Sequence, residues 1–423
     1  MRILTARWAF PVARPPIRDG AVGIHAGRIL AVGPRADVAA ACAGGEPWDL
    51  GEAALLPGLV NCHTHLEIGP NPSGSAAESF VPWVQRVIEI RKGVPLDEQA
   101  RTAEAGSWAL LRSGTTSVGE VSTTGQSLAP LLRVGLRGVV YREILGLDPV
   151  EAPDRLAAAG ADVRAMAATA RGSRLTIGLS PHSAYALSEE LLSACGSLAR
   201  QTGVSPAIHA AESPAEVEFL ATGEGPIARS LYPAVGCAAP PPRRRARSPI
   251  AYLAEVGALL ERPLLVHAVH VDEADCGLMA RHGVRVAHCP RSNQRLSEGT
   301  APVSLMRGHG IPVALGTDSL ASAPDLDMWG EMRAAWAAHA ARLEPAAVLE
   351  MATLGGARAL GVADRVGTLE TGKQADVIAV AAERVTAADP VGGLLESVRG
   401  EDVLLVLIDG EVRHSRCEVP ICA

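Results

Sequence analysis

The sequence predicts an α/β fold: a (β/α)8 barrel of the triosephosphate isomerase (TIM) type with a small β-sandwich domain built from both termini. Three observations predict it. Short apolar, β-branched runs alternate with Ala/Leu/Glu/Arg-rich stretches through the middle of the chain, eight such runs can be counted, and both chain ends read as strands and tight turns. A doubly wound sheet competes with this arrangement, but no G-x-G-x-x-G follows an early strand.

Residues 1–55 contain Val22–Ile24 and Ile29–Val32 around a turn at Ala26–Gly27, a hairpin signal. The far end repeats this character in Ala375–Val380 and Val403–Ile408, followed by the turn dipeptide Asp409–Gly410. One small domain is therefore expected from residues 1–55 plus 366–423, with a barrel over 56–365. The barrel strands are expected near 55–60, 115–121, 138–144, 175–180, 205–209, 263–267, 284–288 and 311–316. Between them Asp97–Arg112, Ser188–Thr202 and Pro249–Glu261 have helical character.

Composition narrows the function. Of 423 residues, 48% are apolar and 20% charged, enough to bury a large core, and the net charge of -7 argues against a nucleic-acid partner. No apolar run approaches the roughly 18 residues of a membrane span. Eight scattered cysteines without a C-x-x-C pair point to a reduced, cytoplasmic setting. The Pro/Arg-rich segment 238–248 reads as a solvated loop; its functional alternative is a lid carrying positive charge toward an anionic substrate.

Chemistry in such a barrel gathers where strands end. The first strand runs into His63-Thr64-His65, whose imidazoles share a face at i and i+2. Later strand ends carry His209, His267, His288 and Asp318, and Glu212 follows His209 by three residues. A single buried histidine is usually a core residue; this many metal-capable groups at successive strand ends is a site. Three histidines and one aspartate suit Zn²⁺ or Fe²⁺, with one position left for water.

These residues resemble the amidohydrolase superfamily. The resemblance rests on LPGLVNCHTH at 56–65, HAAE at 209–212, VHAVHVD at 266–272, AHCPRSN at 287–293, LGTDS at 315–319 and LETGKQADVIAV at 369–380. It implies His63, His65, His209 and Asp318 as ligands of a divalent metal ion, zinc or iron. Some members bridge two ions through a lysine, but this chain has no lysine between Lys92 and Lys373, so one metal is expected. Asp318 would then accept the proton of the attacking water and His267 would hold that water in line. Glu212 would protonate the ring nitrogen and pass a proton to departing ammonia; its alternative is to orient His209.

H-x-x-E and G-T-D-S are similar to the branch that deaminates purines, nucleosides and triazines. SPHSAYALS at 180–188 resembles a segment whose histidine, here His182, faces the substrate sugar. HTHLE, SFVPWV and HAAESPAEVEF are similar to deaminases of 6-aminodeoxyfutalosine in menaquinone biosynthesis. That substrate carries a carboxylate, so Arg291, Arg295 or the run Arg243–Arg245 is a candidate partner. Glu120 is either a substrate contact or a barrel carboxylate, and His288 and His270 are weaker candidates. Other adenosine-type deaminations, a cyclic amide or triazine hydrolase, and a barrel without catalysis are the alternatives. The expected partner is a small-molecule substrate, with neither nucleic acid nor membrane; a homodimer is the commonest assembly.

Overall fold

The computed structural model describes residues 1–70, 79–237, 245–339 and 342–417. At the N-terminus lie β1 (Arg2–Ala9), β2 (Ile17–His25), β3 (Arg28–Pro34), β4 (Glu46–Asp49) and β5 (Ala53–Pro57). The barrel strands follow: β6 (Leu59–Thr64), β7 (Thr115–Ser122), β8 (Arg137–Ile144), β9 (Leu175–Pro181), β10 (Ala207–Ala210), β11 (Leu264–His267), β12 (Arg285–His288) and β13 (Val313–Leu315). The chain closes with β14 (Val377–Ala381), β15 (Val403–Ile408) and β16 (Glu411–Ser415).

The strands β6 to β13 pair in parallel in chain order, as two runs of four. Bridges at Leu179–Pro206 and Thr64–Asp318 join the runs into a ring. Such strands are covered on both faces, and every residue of β6, β7 and β11 is buried. Helices Leu96–Arg112 and Glu189–Thr202 match their expected spans within a residue. The helix expected over Pro249–Glu261 stops at Glu255, where left-handed Gly257 follows.

The run expected near 55–60 is two strands, not one. β5 joins the terminal sheet, β6 opens the barrel, and Gly58 separates them. A Cβ at Gly58 would stand 2.1 Å from the Thr116 hydroxyl, so only glycine lets the chain cross there.

The terminal domain is one continuous sheet of eight strands, in the order β16-β15-β14-β5-β1-β2-β3 with β4 beside β1. It folds over on itself: the β2–β3 hairpin meets the loop before β14, where Ala375 N–H donates to the Gly27 carbonyl and Ile29 N–H to that of Lys373, both at 2.9 Å. Alternation sorts its side chains. Ala54, Leu56, Ile378 and Val380 pack in the core shared with the barrel; Ala53, Leu55, Val377 and Ala379 form the domain's own core.

The two parts are tied by a buried charge cluster at the start of β8. Arg137 makes a two-pronged bond to Asp376 at 3.0 and 3.1 Å and reaches Asp409 at 2.6 Å. Removing one partner strands the others away from water. Arg137→Ala is expected to destabilise the protein by about 3–5 kcal/mol, read from denaturant unfolding.

Candidate functional site

The functional side chains meet at the opposite, C-terminal end of the barrel. His63 lies in β6 and His65 just beyond it; His209 sits in β10, His267 ends β11, and Asp318 follows β13. The Nε2 atoms of His65 and His209 are 3.3 Å apart. Asp318 Oδ1 lies 3.5 Å from His63 Nε2 and 3.8 Å from His65 Nε2. The ligating atoms of the three histidines fall within 4.8 Å of one another. Tetrahedral ligands at zinc distances stand about 3.4 Å apart, close to this spacing.

The electron pairs are arranged to match. His209 Nδ1 donates to the His182 carbonyl at 3.0 Å, which leaves Nε2 as a lone pair aimed inward. His63 Nε2 is buried without a hydrogen-bond partner. Burial, then the neighbouring imidazoles, hold the pKa of His65 and His209 well below the usual histidine value. Burial pulls Asp318 upward, but the histidines around it, His63 foremost, keep it well below the usual carboxylate range. Neutral imidazoles and an ionised carboxylate are the protonation states that bind a divalent cation.

Asp318 is held rigidly. Its Oδ2 accepts from the Ser292 and Ser322 hydroxyls at 2.7 and 2.8 Å, and Oδ1 from Ser319 N–H at 2.8 Å. Its φ of 58° and the 72° of His267 place both in the left-handed region, strain that re-aims the side chains where the strands stop.

His267 and Glu212 form a proton-holding pair. Asn293 Oδ1 lies 3.0 Å from His267 Nδ1, so that nitrogen carries the proton and Nε2 is a lone pair. Glu212 Oε1 stands 3.3 Å from that Nε2. Burial pushes His267 down to about 4. Burial, then the like charges of Asp318, Glu216 and Glu298, drives Glu212 well above the ordinary carboxylate value. Glu212 is thus biased toward its protonated, acid form. The local chain sets its position: Ser213 caps the helix Pro214–Thr222, accepting from Glu216 N–H at 3.1 Å, while Glu216 Oε2 accepts from Glu212 N–H at 2.9 Å.

These groups floor a cavity of about 930 Å³. His65, His209, Glu212, His267 and Asp318 line one part; Phe80, Trp83, Val87 and Tyr185 supply apolar wall, and Arg91, Glu143, Arg155 and His182 supply polar wall.

A model of the amidohydrolase family matches residues 54–413, spanning the barrel and the C-terminal strands of the terminal sheet, with β5 from the N-terminal part. The chain belongs to the amidohydrolase family. This amidohydrolase is an enzyme that hydrolyses carbon–nitrogen bonds. It is 34% identical to a 5-methylthioadenosine/S-adenosylhomocysteine deaminase of Desulforudis audaxviator, over 97% of this chain and 93% of that protein. It superposes on an adenosine deaminase from Xanthomonas campestris with bound zinc at TM-score 0.82 and 27% identity, covering 100% of this chain and 94% of the other. It shares the fold of Helicobacter pylori aminofutalosine deaminase at TM-score 0.86 and 21% identity, over 97% and 100% of the two chains.

Among the described residues, no helix is long and apolar enough to cross a membrane.

Several substrate-contact expectations are corrected. Arg291 is consumed by the protein: Nε bonds Glu331 at 2.6 Å, one terminal nitrogen pairs with Asp325 at 2.8 Å, and the other donates to the Asp325 and Asp327 carbonyls. Glu120 is a barrel carboxylate, both oxygens accepting from Leu66 N–H at 3.0–3.1 Å. His288 is off the cavity wall. Alternation along β12 puts it on the face of Val286, and its ring lies 5.7 Å from that of His339 on the helix Met328–His339. Arg295 and His270 do not line the cavity either. Arg245 is exposed, and Arg243 and Arg244 lie outside the described residues, as does most of the segment 238–248.

His182 does line the cavity, stacked on His209 with ring centroids 4.6 Å apart. Sequence reasoning missed the cavity arginines Arg91 and Arg155. It also missed Ser322, which braces Asp318. Ser292 and Asn293 stood inside a quoted motif, but nothing in the motif said which neighbour each would hold.

Two measurements check the electrostatics. Chelator dialysis is expected to lower Tm, with Zn²⁺ restoring it; saturation at a thousand times Kd corresponds to about 4 kcal/mol. Burial raises Glu216 to about 7, above its ordinary 4.5, and Oε1 has no partner. Its contribution is full below pH 4.5 and falls as pH rises through 7. The stability of Glu216→Gln relative to wild type should therefore climb across that window and level off above it.

Proposed function

We propose that this enzyme deaminates the adenine ring of a nucleoside with an extended 5′ substituent, and that 6-aminodeoxyfutalosine of menaquinone biosynthesis is its substrate. The observation that carries the reading is the cavity itself. Glu212, whose burial favours its protonated form, shares one space with His267, Asp318, an aromatic wall and two arginines. The aromatic residues suit a ring system, and Arg91, which has no ion-pair partner among the described residues, suits a carboxylate at its far end. A second reading, 5-methylthioadenosine or S-adenosylhomocysteine as substrate, is favoured by the name of the 34% identical relative.

His63, His65, His209 and Asp318 would hold one zinc ion, whose contribution when bound is to lower the pKa of a water toward neutrality. Glu212 donates its proton to the ring nitrogen beside the amino-bearing carbon, which draws electrons away from that carbon. The water attacks it, guided by His267, and Asp318 accepts the water's proton. Asp318 is suited to this because two serine hydroxyls on Oδ2 and the Ser319 N–H on Oδ1 fix the carboxylate with Oδ1 toward His63 and His65. Glu212, now ionised, takes the remaining hydroxyl proton as the carbonyl forms and passes it to the amino group, which leaves as ammonia; the proton held by Asp318 then restores Glu212 to its acid form.

The test is ammonia release from a panel of 6-aminodeoxyfutalosine, 5-methylthioadenosine, S-adenosylhomocysteine and adenosine. The highest kcat/KM is expected for 6-aminodeoxyfutalosine, and absence of turnover on every member overturns the proposal. Glu212→Gln is expected to lower kcat by roughly 10²-fold or more. Arg91→Ala should raise KM about tenfold for 6-aminodeoxyfutalosine while leaving that for adenosine unchanged.

A further inference from the structure

One carboxylate of the cavity wall has no place in the chemistry above. Glu143, next to the last residue of β8, is 4% exposed, yet it borders the cavity. No cation neutralises it: among the described residues, its carboxylate accepts one hydrogen bond, from the Thr123 hydroxyl to Oε2 at 2.5 Å. Arg142 beside it turns away, bonding Asp162 at 2.9 Å and the Thr123 carbonyl at 2.7 Å. A buried, singly bonded carboxylate is costly unless something else donates to it.

Its other oxygen faces an imidazole it cannot bond. Oε1 lies 3.9 Å from His182 Nε2, beyond hydrogen-bond reach. His182 Nδ1 sits 3.1 Å from the Ser183 hydroxyl, and with that hydroxyl donating, Nε2 carries the ring proton. An acceptor and a donor thus stand side by side on the cavity wall, spaced so that two adjacent hydroxyls could engage both. His182 also stacks on His209, which ties this pair to the reaction centre.

We infer that Glu143 completes a reader of the sugar's vicinal diol: it accepts from one hydroxyl, beside the His182 that the sequence motif already implies faces the sugar and that would donate to the other. Glu143 thereby sets specificity for a ribonucleoside over a deoxynucleoside or a free base. The inference rests on the nucleoside reading and extends it to a residue with no part in the proton transfers.

Adenosine and its 2′-deoxy, 3′-deoxy and 2′,3′-dideoxy forms are the probes, with the metal-loaded enzyme. In wild type, kcat/KM for the dideoxy form should fall about 10- to 100-fold below that of adenosine, since the lost hydroxyls leave a buried acceptor unpaired. In Glu143→Ala that preference should collapse to within about threefold, through loss on adenosine and not gain of a new activity. Glu143→Gln, which keeps an acceptor and the Thr123 bond, should fall between. Equal turnover of adenosine and its dideoxy form by wild type overturns the pair and leaves the nucleoside reading intact, whether or not either variant folds. Full discrimination persisting in Glu143→Ala overturns the role of Glu143. Turnover of neither these probes nor any 5′-extended nucleoside removes the reading on which the inference stands.

Discussion

Closure of the barrel is the constraint on which the rest depends. Residues 254 apart in sequence are joined where the Thr64 hydroxyl donates to the Asp318 carbonyl at 3.1 Å, beside the bond from Asp318 N–H to the His63 carbonyl at 3.0 Å. Those two bonds bring the first strand against the end of the last. Without them His63 and Asp318 would belong to opposite ends of an open sheet. With them, the carboxylate stands among the imidazoles at distances a single divalent ion can span.

Closure also separates stability from chemistry. The buried Arg137–Asp376–Asp409 cluster lies at the start of β8, at the end of the barrel away from the histidines. There the charges neutralise one another and hold the terminal sheet in place. At the other end charge is left unbalanced by the environment: burial among other carboxylates pushes Glu212 toward its protonated form, and the imidazoles around Asp318 push it toward its ionised form. Two carboxylates in one cavity are driven apart in acidity, the difference on which the proposed roles of acid and base rest.

Much of this was legible in the chain. The eight strands followed from short β-branched runs with helical stretches between them, because parallel strands covered on both faces need continuous apolar sequence. His63, His65, His209, His267, Glu212 and Asp318 stood at strand ends, and strand ends of a barrel converge. The arginines were misjudged. Arg291 followed a strand, as a site residue should, yet Glu331 and Asp325 claim it, and those partners lie 34 or more residues away. Arg91 and Arg155 lie in helices, where nothing in a surface-like pattern marks them as cavity residues.

The sequence by itself determined the strand count, the period that buries each strand, and the chemical identity of the groups at the strand ends, since these depend on local pattern and residue type. The tertiary structure alone decided which of those groups face one another. His288 and His209 both end barrel strands, but alternation turns one toward a helix and the other into the cavity. Glu120 and Glu143 both lie near strand ends as buried glutamates, yet one is satisfied by the Leu66 backbone and the other borders the cavity. Side-chain direction and partner choice are set by pleat, closure and packing across long sequence separations, which a linear pattern does not carry.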